Sequence, residues 1–474
     1  MRTATEGVLF ALSTILWHTS HLLVLIYVAH DNILPQGATM QRNAINRLTD
    51  WKDRPGRKPL LVYGARQVGK THLLKTFAND HFQKTVYFDL EKQASARAAF
   101  EGDLEPAQII RRLGSLTGEA INLEKTLIIL DEVQASNRAL ASLKYFREEM
   151  PGVFLIGAGS LLGIAVNRKD FSAPVGSVEA LTLNPMSFDE FLLALGEESM
   201  LSDIKECSQK NERYFLHDKA LDIFRTYLLV GGMPEAMQEY ISSGDFSQVR
   251  EIQTNILDLY LTDMAKYASP FETARIREVW ESLPSQLAKS NRKFQYKTVK
   301  IGGRASHYQG AIQWLRQAGL INCCTQVSSA QAPLVMHEDS GNFKVYQADC
   351  GLLSARIGIA SSAILDEGGR KLLDAGAITE NYIAQALTTN RLKLNYWVSG
   401  GEAEMDFLLE NKSARVIPVE VKSSTNVRSR SLDVFRKKYQ PETSIRLSTK
   451  NFGLENGIKS LPLYAAFCLD EKTL

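Results

Sequence analysis

The sequence of 474 residues predicts an α/β fold with a parallel sheet, followed by a helical module and a second, smaller α/β unit. Three observations support this prediction. Short apolar runs alternate with helical patterns from residue 60 to 160, which is typical of a parallel sheet. Helical patterns and two strand candidates follow one another between residues 275 and 346. Near the carboxy terminus, two runs of alternating apolar and polar residues flank a polar turn, which indicates a hairpin.

Composition sets broad limits on the protein. With 45% hydrophobic and 23% charged residues, the chain is globular in type but too long for one core, so we expect several domains. A net charge of +2 gives no overall attraction to nucleic acid or anionic membranes. The five cysteines have no C-x-x-C spacing, and their odd number argues against a disulfide framework. These features favour a reducing, cytoplasmic location.

A glycine-rich loop follows the first apolar run. Residues 64–71 spell G-x-x-x-x-G-K-T between a predicted buried strand and a predicted helix, the setting of a phosphate-binding loop in P-loop NTPases. Backbone N–H groups and the helix N-terminus would face the phosphates, with the lysine on the β and γ oxygens and the threonine hydroxyl on Mg²⁺. The predicted nucleotide-binding residues are Gly64, Ala65, Arg66, Gln67, Val68, Gly69, Lys70 and Thr71.

A second element supports the same chemistry. Residues 126–132 form an apolar run that ends in Asp131 and Glu132. Asp131 is predicted to join Thr71 at the magnesium ion, and Glu132 is predicted to polarise the attacking water. Another apolar run, residues 153–160, ends at Ser160, which is either a nucleotide-binding residue at the same edge of the sheet or a helix N-cap. ATP and Mg²⁺ are therefore the predicted cofactors, with Lys70 and Glu132 as the catalytic residues.

The pattern also predicts the order of the elements. A helix over 42–51 precedes the first strand. Strands follow at 86–90, 127–130 and 153–160, and helices at 106–113 and 140–150. Further helices are predicted at 213–230 and 249–268.

Residues 275–346 are predicted to form a winged helix. Two or three helices lead to Gly319, and strand candidates follow at 321–327 and 343–346. Basic residues cluster here: Lys289, Arg292, Lys293, Lys297, Lys300 and Arg304. The cluster is interpreted either as a surface for the backbone of DNA or another nucleic acid or as the solvated face of a lid packed on the nucleotide domain.

Four charged residues near the carboxy terminus follow a nuclease-like order. Glu380 lies in a helical pattern, Asp406 in the first predicted strand, and Glu420 and Lys422 on one face of the second. This order is similar to the PD-(D/E)xK nuclease pattern, in which carboxylates hold Mg²⁺ and a lysine assists the attacking water. The alternative is a nuclease-like fold used for binding only.

The first 39 residues are interpreted separately. Residues 8–29 contain no charge and are long enough to span a bilayer. If they do, the basic residues after them would leave the nucleotide domain in the cytoplasm. The alternative is a spurious start, because Met40 begins a sequence that resembles a natural amino terminus.

Five separate stretches occur in the order found in one known group. They are YGARQVGKT (63–71), LDEVQ (130–134), LNPMSFDEF (183–191), GGMPE (231–235) and YQADCGLL (346–353). The chain from Met40 onwards resembles bacterial and archaeal AAA+ type ATPases in which a carboxy-terminal domain of unknown function has a nuclease-like fold. The resemblance implies ATP binding and hydrolysis. It does not extend to residues 1–39, and Ser177 stands where many relatives have arginine or lysine.

The predicted domains are an apolar extension (1–39), an AAA+ type P-loop ATPase domain (40–200), a helical lid (201–270), a winged-helix module (271–347) and a nuclease-like domain (348–474). Two functions are compared. The first is an ATPase that acts on nucleic acid through the last two domains. The second is a regulatory ATP switch whose carboxy-terminal half binds a protein partner. A membrane-tethered ATPase is a third option if residues 8–29 are a genuine span.

Overall fold

The computed structural model describes residues 40–160, 176–289, 292–360, 362, 376–400, 403–422 and 430–474. The apolar extension, residues 1–39, lies outside these ranges, as do residues 161–175 after Ser160. Within the described ranges, no helix is long and apolar enough to cross a membrane.

The amino-terminal part contains a parallel sheet flanked by helices. Its elements are α1 (Ala44–Asp53), β1 (Leu60–Tyr63), α2 (Lys70–His81), β2 (Lys84–Asp89), α3 (Ala94–Ala98), α4 (Pro106–Thr117), β3 (Thr126–Asp131), α5 (Asn137–Glu149), β4 (Leu155–Gly159) and β5 (Glu179–Thr182). The strands are ordered β2-β3-β4-β1-β5, and every neighbouring pair is parallel. The predicted parallel α/β arrangement is confirmed, and it matches a P-loop NTPase fold.

A helical region follows the first sheet. It contains α6 (Phe188–Ala194), α7 (Glu198–Lys210), α8 (His217–Val230), α9 (Pro234–Ser243), α10 (Phe246–Tyr267), α11 (Pro270–Leu287), α12 (Tyr296–Val299) and α13 (Ala305–Gln317). The local sequence explains where two of these helices begin. Ser187 and Glu190 form a capping box at α6, and Ser269 and Glu272 form another at α11, where Pro270 occupies the first helical position.

The carboxy-terminal part contains a second sheet, which is mixed. Its elements are β6 (Ile321–Val327), β7 (Glu338–Gln347), α14 (Cys350–Arg356), α15 (Gly376–Thr389), β8 (Asn395–Ser399), β9 (Ala403–Glu410), β10 (Val416–Val421), α16 (Arg430–Tyr439), β11 (Ser444–Ser448), β12 (Gly453–Glu455) and β13 (Ile458–Pro462). The strand order is β12-β13-β11-β10-β9-β8-β6-β7.

This sheet crosses the domain boundary that the sequence predicts at residue 347. Strand β6 pairs with β7 on one side and runs parallel to β8 on the other. The two strands predicted as a wing therefore continue into the strands predicted as nuclease-like. The predicted boundary is not a boundary in the sheet because the parallel β6–β8 pairing joins segments about 70 residues apart in sequence.

Three apolar clusters hold these layers together. One face of the first sheet packs on α3, α4 and α5 through Leu61, Ile128 and Leu130. Its other face joins a large cluster that extends through the helical region to one face of the second sheet. The third cluster, which includes Met405 and Leu408, packs the opposite face of the second sheet on α16. The helical region is thus part of a core shared with both sheets.

Candidate functional site

The loop between β1 and α2 has the backbone that the glycine pattern predicts. A Cβ atom at position 64 would lie 2.1 Å from the Leu183 carbonyl oxygen, so only glycine fits there. Gly69 has φ +88° at the N-cap of α2, a left-handed conformation that glycine adopts without strain. The loop consequently folds back on the N-terminus of α2, where backbone N–H groups are available to an anion.

Lys70 lies inside this loop. Its Nζ donates hydrogen bonds to the carbonyl oxygens of Gly64 (3.0 Å) and Ala65 (2.8 Å). The side chain is buried, with 6% of the residue exposed. Burial lowers the pKa of Lys70 to about 8, and the carboxylates Glu132 and Asp131 oppose this shift. The ammonium group is therefore held at the loop by carbonyl groups that a phosphate can replace.

Thr71 and Asp131 meet at the carboxyl edge of the sheet. The Thr71 hydroxyl donates to Asp131 Oδ2 at 2.7 Å, although the two residues are 60 positions apart. Asp131 is buried at the end of β3, beside the first turn of α2. A hydroxyl and a carboxylate in contact are oxygen ligands of the kind that Mg²⁺ prefers. The pair predicted to hold magnesium is therefore brought together, and its chemistry fits that ion.

Glu132 follows Asp131 in a strained backbone conformation. Its φ of +48° is uncommon for a residue other than glycine, and it turns the chain from β3 into a short 3₁₀ helix. Ser160 donates to Glu132 Oε1 at 3.5 Å, and Gln134 donates to Oε2. Burial raises the pKa of Glu132, with a further contribution from Asp131. Ser160 is thus beside the predicted base, whereas its alternative role as a helix N-cap concerns residues outside the described ranges.

Tyr87 is part of this site, although the sequence did not indicate it. Its hydroxyl group on β2 donates to Asp131 Oδ2 at 2.7 Å, the same oxygen that Thr71 contacts. Burial and this hydrogen bond raise the pKa of Tyr87. The sequence signal that could have indicated Tyr87 is its place near the carboxyl end of β2. This strand pairs with β3 in parallel, and Asp89 at the end of β2 lies opposite Asp131.

We expect Tyr87→Phe to raise the Mg²⁺ concentration required for half-maximal ATP turnover about tenfold, because partners that hold a metal ligand typically contribute 10–100-fold to affinity or activity. The measurement is ATP turnover as a function of Mg²⁺ concentration. Tyr145→Phe, which removes a hydroxyl from half-buried Tyr145 on α5, is the control. An unchanged magnesium dependence in Tyr87→Phe would show that Tyr87 does not orient Asp131.

The four predicted nuclease residues fall into two groups. Glu380 on α15 accepts hydrogen bonds from Lys344 (3.2 Å) and Tyr346, and it pairs with Arg292. Glu420 pairs with Lys422 at 3.2 Å, and Arg446 lies 4.0 Å from its other oxygen. Among the residues that the structure describes, no three His, Cys, Asp or Glu side chains form a group suited to a metal ion.

The packing of the strands places these groups on opposite faces. Ile417 and Val419 belong to the cluster on the α15 face, so Glu420, the next residue, points to the α16 face. Asp406 accepts from the Val421 backbone N–H at 2.8 Å. Burial raises the pKa of Asp406, and the nearby Lys344 and Arg292 oppose this, which places Asp406 with the Glu380 group. The expected convergence of all four side chains is therefore not present in this structure.

A shift in strand register explains part of this arrangement. Asn395 pairs with Leu408, but Trp397 pairs with Met405, so β9 contains one extra residue opposite β8. Leu408 and Met405 both face α16, and the bulge between them turns Asp406 and Phe407 to the α15 face. Simple alternation from the sequence misses such a bulge, because it depends on pairing with the neighbouring strand.

Lys344 is the central charge of the Glu380 group. Only 1% of its side chain is exposed, and its Nζ also pairs with Glu404.

We expect Lys344→Met to lower the free energy of unfolding by about 3–5 kcal/mol, because it leaves buried carboxylates without their partner. Lys300→Met is the control, since Lys300 pairs with Glu278 at an exposed position, where a loss below about 1 kcal/mol is expected. Equal losses in denaturant unfolding would contradict this prediction.

Comparison with protein families gives three matches along the chain. Residues 56–192 match the family described as "AAA domain", residues 221–363 match "Domain of unknown function (DUF8612)", and residues 375–466 match "Domain of unknown function (DUF4143)". No curated protein matches the chain. The residues that match the AAA domain include the loop, Asp131 and Glu132, so the family similarity covers the candidate site.

Comparison with solved structures gives distant matches. The Walker-type ATPase PABY2304 of Pyrococcus abyssi has 16% identity and a TM-score of 0.41, with 67% of this chain and 96% of that chain covered. The Aeropyrum pernix ORC1 protein in complex with DNA has 14% identity, a TM-score of 0.30, and coverage of 69% and 95%. The Thermotoga maritima RuvB Holliday junction branch migration motor has 16% identity, a TM-score of 0.27, and coverage of 62% and 90%.

Proposed function

We propose that the protein binds ATP at the loop of residues 64–71 and hydrolyses it with Mg²⁺. The observation that carries this proposal is the Thr71–Asp131 hydrogen bond, which joins the end of the loop to the carboxylate strand. The AAA domain match supports ATP as the nucleotide.

Each residue then has a defined task. Lys70 exchanges the carbonyl groups of Gly64 and Ala65 for the β and γ oxygens of ATP. Thr71 and Asp131 would hold a magnesium ion, which would neutralise charge on the phosphates. Glu132 orients a water molecule and accepts its proton, a task suited to a carboxylate whose pKa burial raises. Ser160 keeps Glu132 in position.

Phosphate release tests this proposal. Purified protein should release inorganic phosphate from ATP in the presence of Mg²⁺ and stop when the metal is chelated. If the protein neither binds ATP nor releases phosphate, the proposal is refuted. The assay gives its sharpest result when the site variants described in the Discussion are measured in parallel.

For the carboxy-terminal half, we propose the regulatory switch in preference to a nuclease. Its support is the separation of Glu380 and Asp406 from Glu420 and Lys422, together with the buried ammonium of Lys344 among the carboxylates. In this function, ATP binding changes how the carboxy-terminal half docks on a protein partner. Cleavage of DNA by the wild type with Mg²⁺ or Mn²⁺, lost in Asp406→Ala, would reverse the preference.

Nucleic-acid binding is the second candidate. Helices α11, α12 and α13 precede the β6–β7 hairpin, an order that suits a winged helix. Lys297, Lys300 and Arg304 are exposed around α12, where they are available to a phosphate backbone. Salt-dependent DNA binding that weakens when these three residues are replaced would support nucleic-acid binding.

We also propose that the protein is located in the cytoplasm, where ATP is available and its cysteines remain reduced.

A further inference from the structure

Arg66 connects the phosphate-binding loop to α10 of the helical region. Its Nε lies 2.8 Å from Asp263 Oδ2. Its carbonyl oxygen accepts a hydrogen bond from the Tyr260 hydroxyl at 3.2 Å. Tyr260 and Asp263 are one turn apart on α10, so the helix holds both the backbone and the side chain of this loop residue. By contrast, the Val68 carbonyl of the same loop is held by Arg42 from the ATPase domain.

Arg66 is also close to the catalytic groups. Burial lowers the pKa of Lys70 and raises that of Glu132, and the positive charge of Arg66 adds to the first shift and opposes the second. The Arg66 side chain is 29% exposed, which leaves it room to change its rotamer, whereas the Asp263 side chain is 7% exposed. A planar guanidinium group forms bidentate bonds with phosphate as readily as with carboxylate. The γ-phosphate of ATP would therefore compete with Asp263 for Arg66.

We propose that Arg66 exchanges Asp263 for the γ-phosphate when ATP binds, and that α10 shifts as Asp263 loses this partner. The inference rests on the proposed ATP binding and names the element that reports it to the rest of the chain. A buried carboxylate that loses its cation has to reach water or another cation. Because Asp263 and Tyr260 lie on one rigid helix, that adjustment moves the helix against the loop. ADP has no γ-phosphate and leaves the Arg66–Asp263 pair intact.

Nucleotide affinities distinguish this exchange from a static ion pair. The experiment compares a non-hydrolysable ATP analogue with ADP by calorimetric titration of the wild type, Arg66→Ala and Asp263→Asn. The wild type should prefer the ATP analogue. Arg66→Ala should reduce that preference about tenfold, and Asp263→Asn should strengthen binding of the ATP analogue about fivefold with little change for ADP, both within the usual range of coupling between linked sites. Asp258→Asn, an exposed position on the same helix, should behave as the wild type.

Hydrogen exchange of α10 provides the second measurement. The ATP analogue, and not ADP, should increase exchange around residues 258–266 in the wild type, and this response should disappear in Arg66→Ala. A preference for ATP that is as strong in Arg66→Ala as in the wild type, or an α10 response that is the same for ATP and ADP, would overturn the exchange. If Asp263→Asn does not fold, Arg66→Ala and Asp263→Glu are used to test the exchange. The glutamate variant should retain the wild-type increase in hydrogen exchange of α10 with the ATP analogue. Absence of any nucleotide binding to the wild type would instead refute the proposed ATPase itself.

Discussion

Replacing Lys70 with alanine is expected to abolish ATP binding at concentrations that saturate the wild type. In the structure, the Lys70 ammonium occupies the loop and bonds to two carbonyl oxygens, 2.8 and 3.0 Å away. With ATP it would instead reach the β and γ oxygens. Hydrogen bonds to charged groups contribute about 1.5–3 kcal/mol each. Two such bonds correspond to a loss of affinity of roughly 10²–10⁴-fold.

The Lys70 experiment has an internal check on folding. Equilibrium binding of ATP is measured for Lys70→Ala, for the wild type and for Lys144→Ala, which removes an exposed lysine from α5. The Lys144 variant should bind as the wild type does. Lys70 lies at the start of α2, and its ammonium group donates hydrogen bonds to two loop carbonyls, so unfolding curves should change little. Wild-type affinity in folded Lys70→Ala would remove the loop from the proposed site.

The nucleotide-binding loop and its surrounding sheet could be predicted because their signals are local. The loop motif, the apolar runs and the two carboxylates occupy short stretches, and parallel strands bring their carboxyl ends to one edge. Contacts between Thr71, Asp131, Glu132 and Ser160 agree with that expectation. The roles assigned to these residues remain predictions that the variants test.

Contacts made across the chain were not predictable. Tyr87 approaches Asp131 from another strand, Asp263 reaches Arg66 from a distant helix, and Lys344 enters the carboxylate group from the β7 edge strand. In the sequence, tyrosine, aspartate and lysine at positions of this kind are ordinarily expected to be solvated or to have a structural role. The Arg66–Asp263 pair forms only when the helical region docks on the first sheet. The Tyr87 contact instead requires the pairing of β2 with β3, and the Lys344 contact requires α15 to pack on the second sheet.

Pro418 illustrates the same limit on a smaller scale. A proline within a strand usually indicates an edge strand or a bulge, because proline lacks the N–H group that a sheet ladder requires. Strand β10 is instead an interior strand between β9 and β11. The parallel pairing with β11 begins only at Val419, so Pro418 lies just before the part of the strand that is bonded on both sides.

Glu132→Gln is expected to bind ATP with nearly wild-type affinity and to hydrolyse it about 10²–10⁴-fold more slowly, the usual contribution of a general base. Glutamine keeps the shape and can still contact Ser160 and Gln134, but its amide does not accept the proton of the attacking water. Because burial raises the pKa of Glu132, wild-type turnover should fall as the pH decreases through that raised pKa, where the carboxylate becomes protonated.

Three measurements separate catalysis from binding in this variant. Equilibrium ATP binding should match the wild type, single-turnover hydrolysis should be slow, and the acidic decline in rate should be lost because the amide does not titrate. Glu124→Gln, at an exposed position before β3, should keep both the rate and the pH profile of the wild type. Fast hydrolysis in Glu132→Gln would move the role of base to another group at this edge of the sheet. A loss of ATP binding would instead mean that the strained backbone at residue 132 shapes the nucleotide site itself.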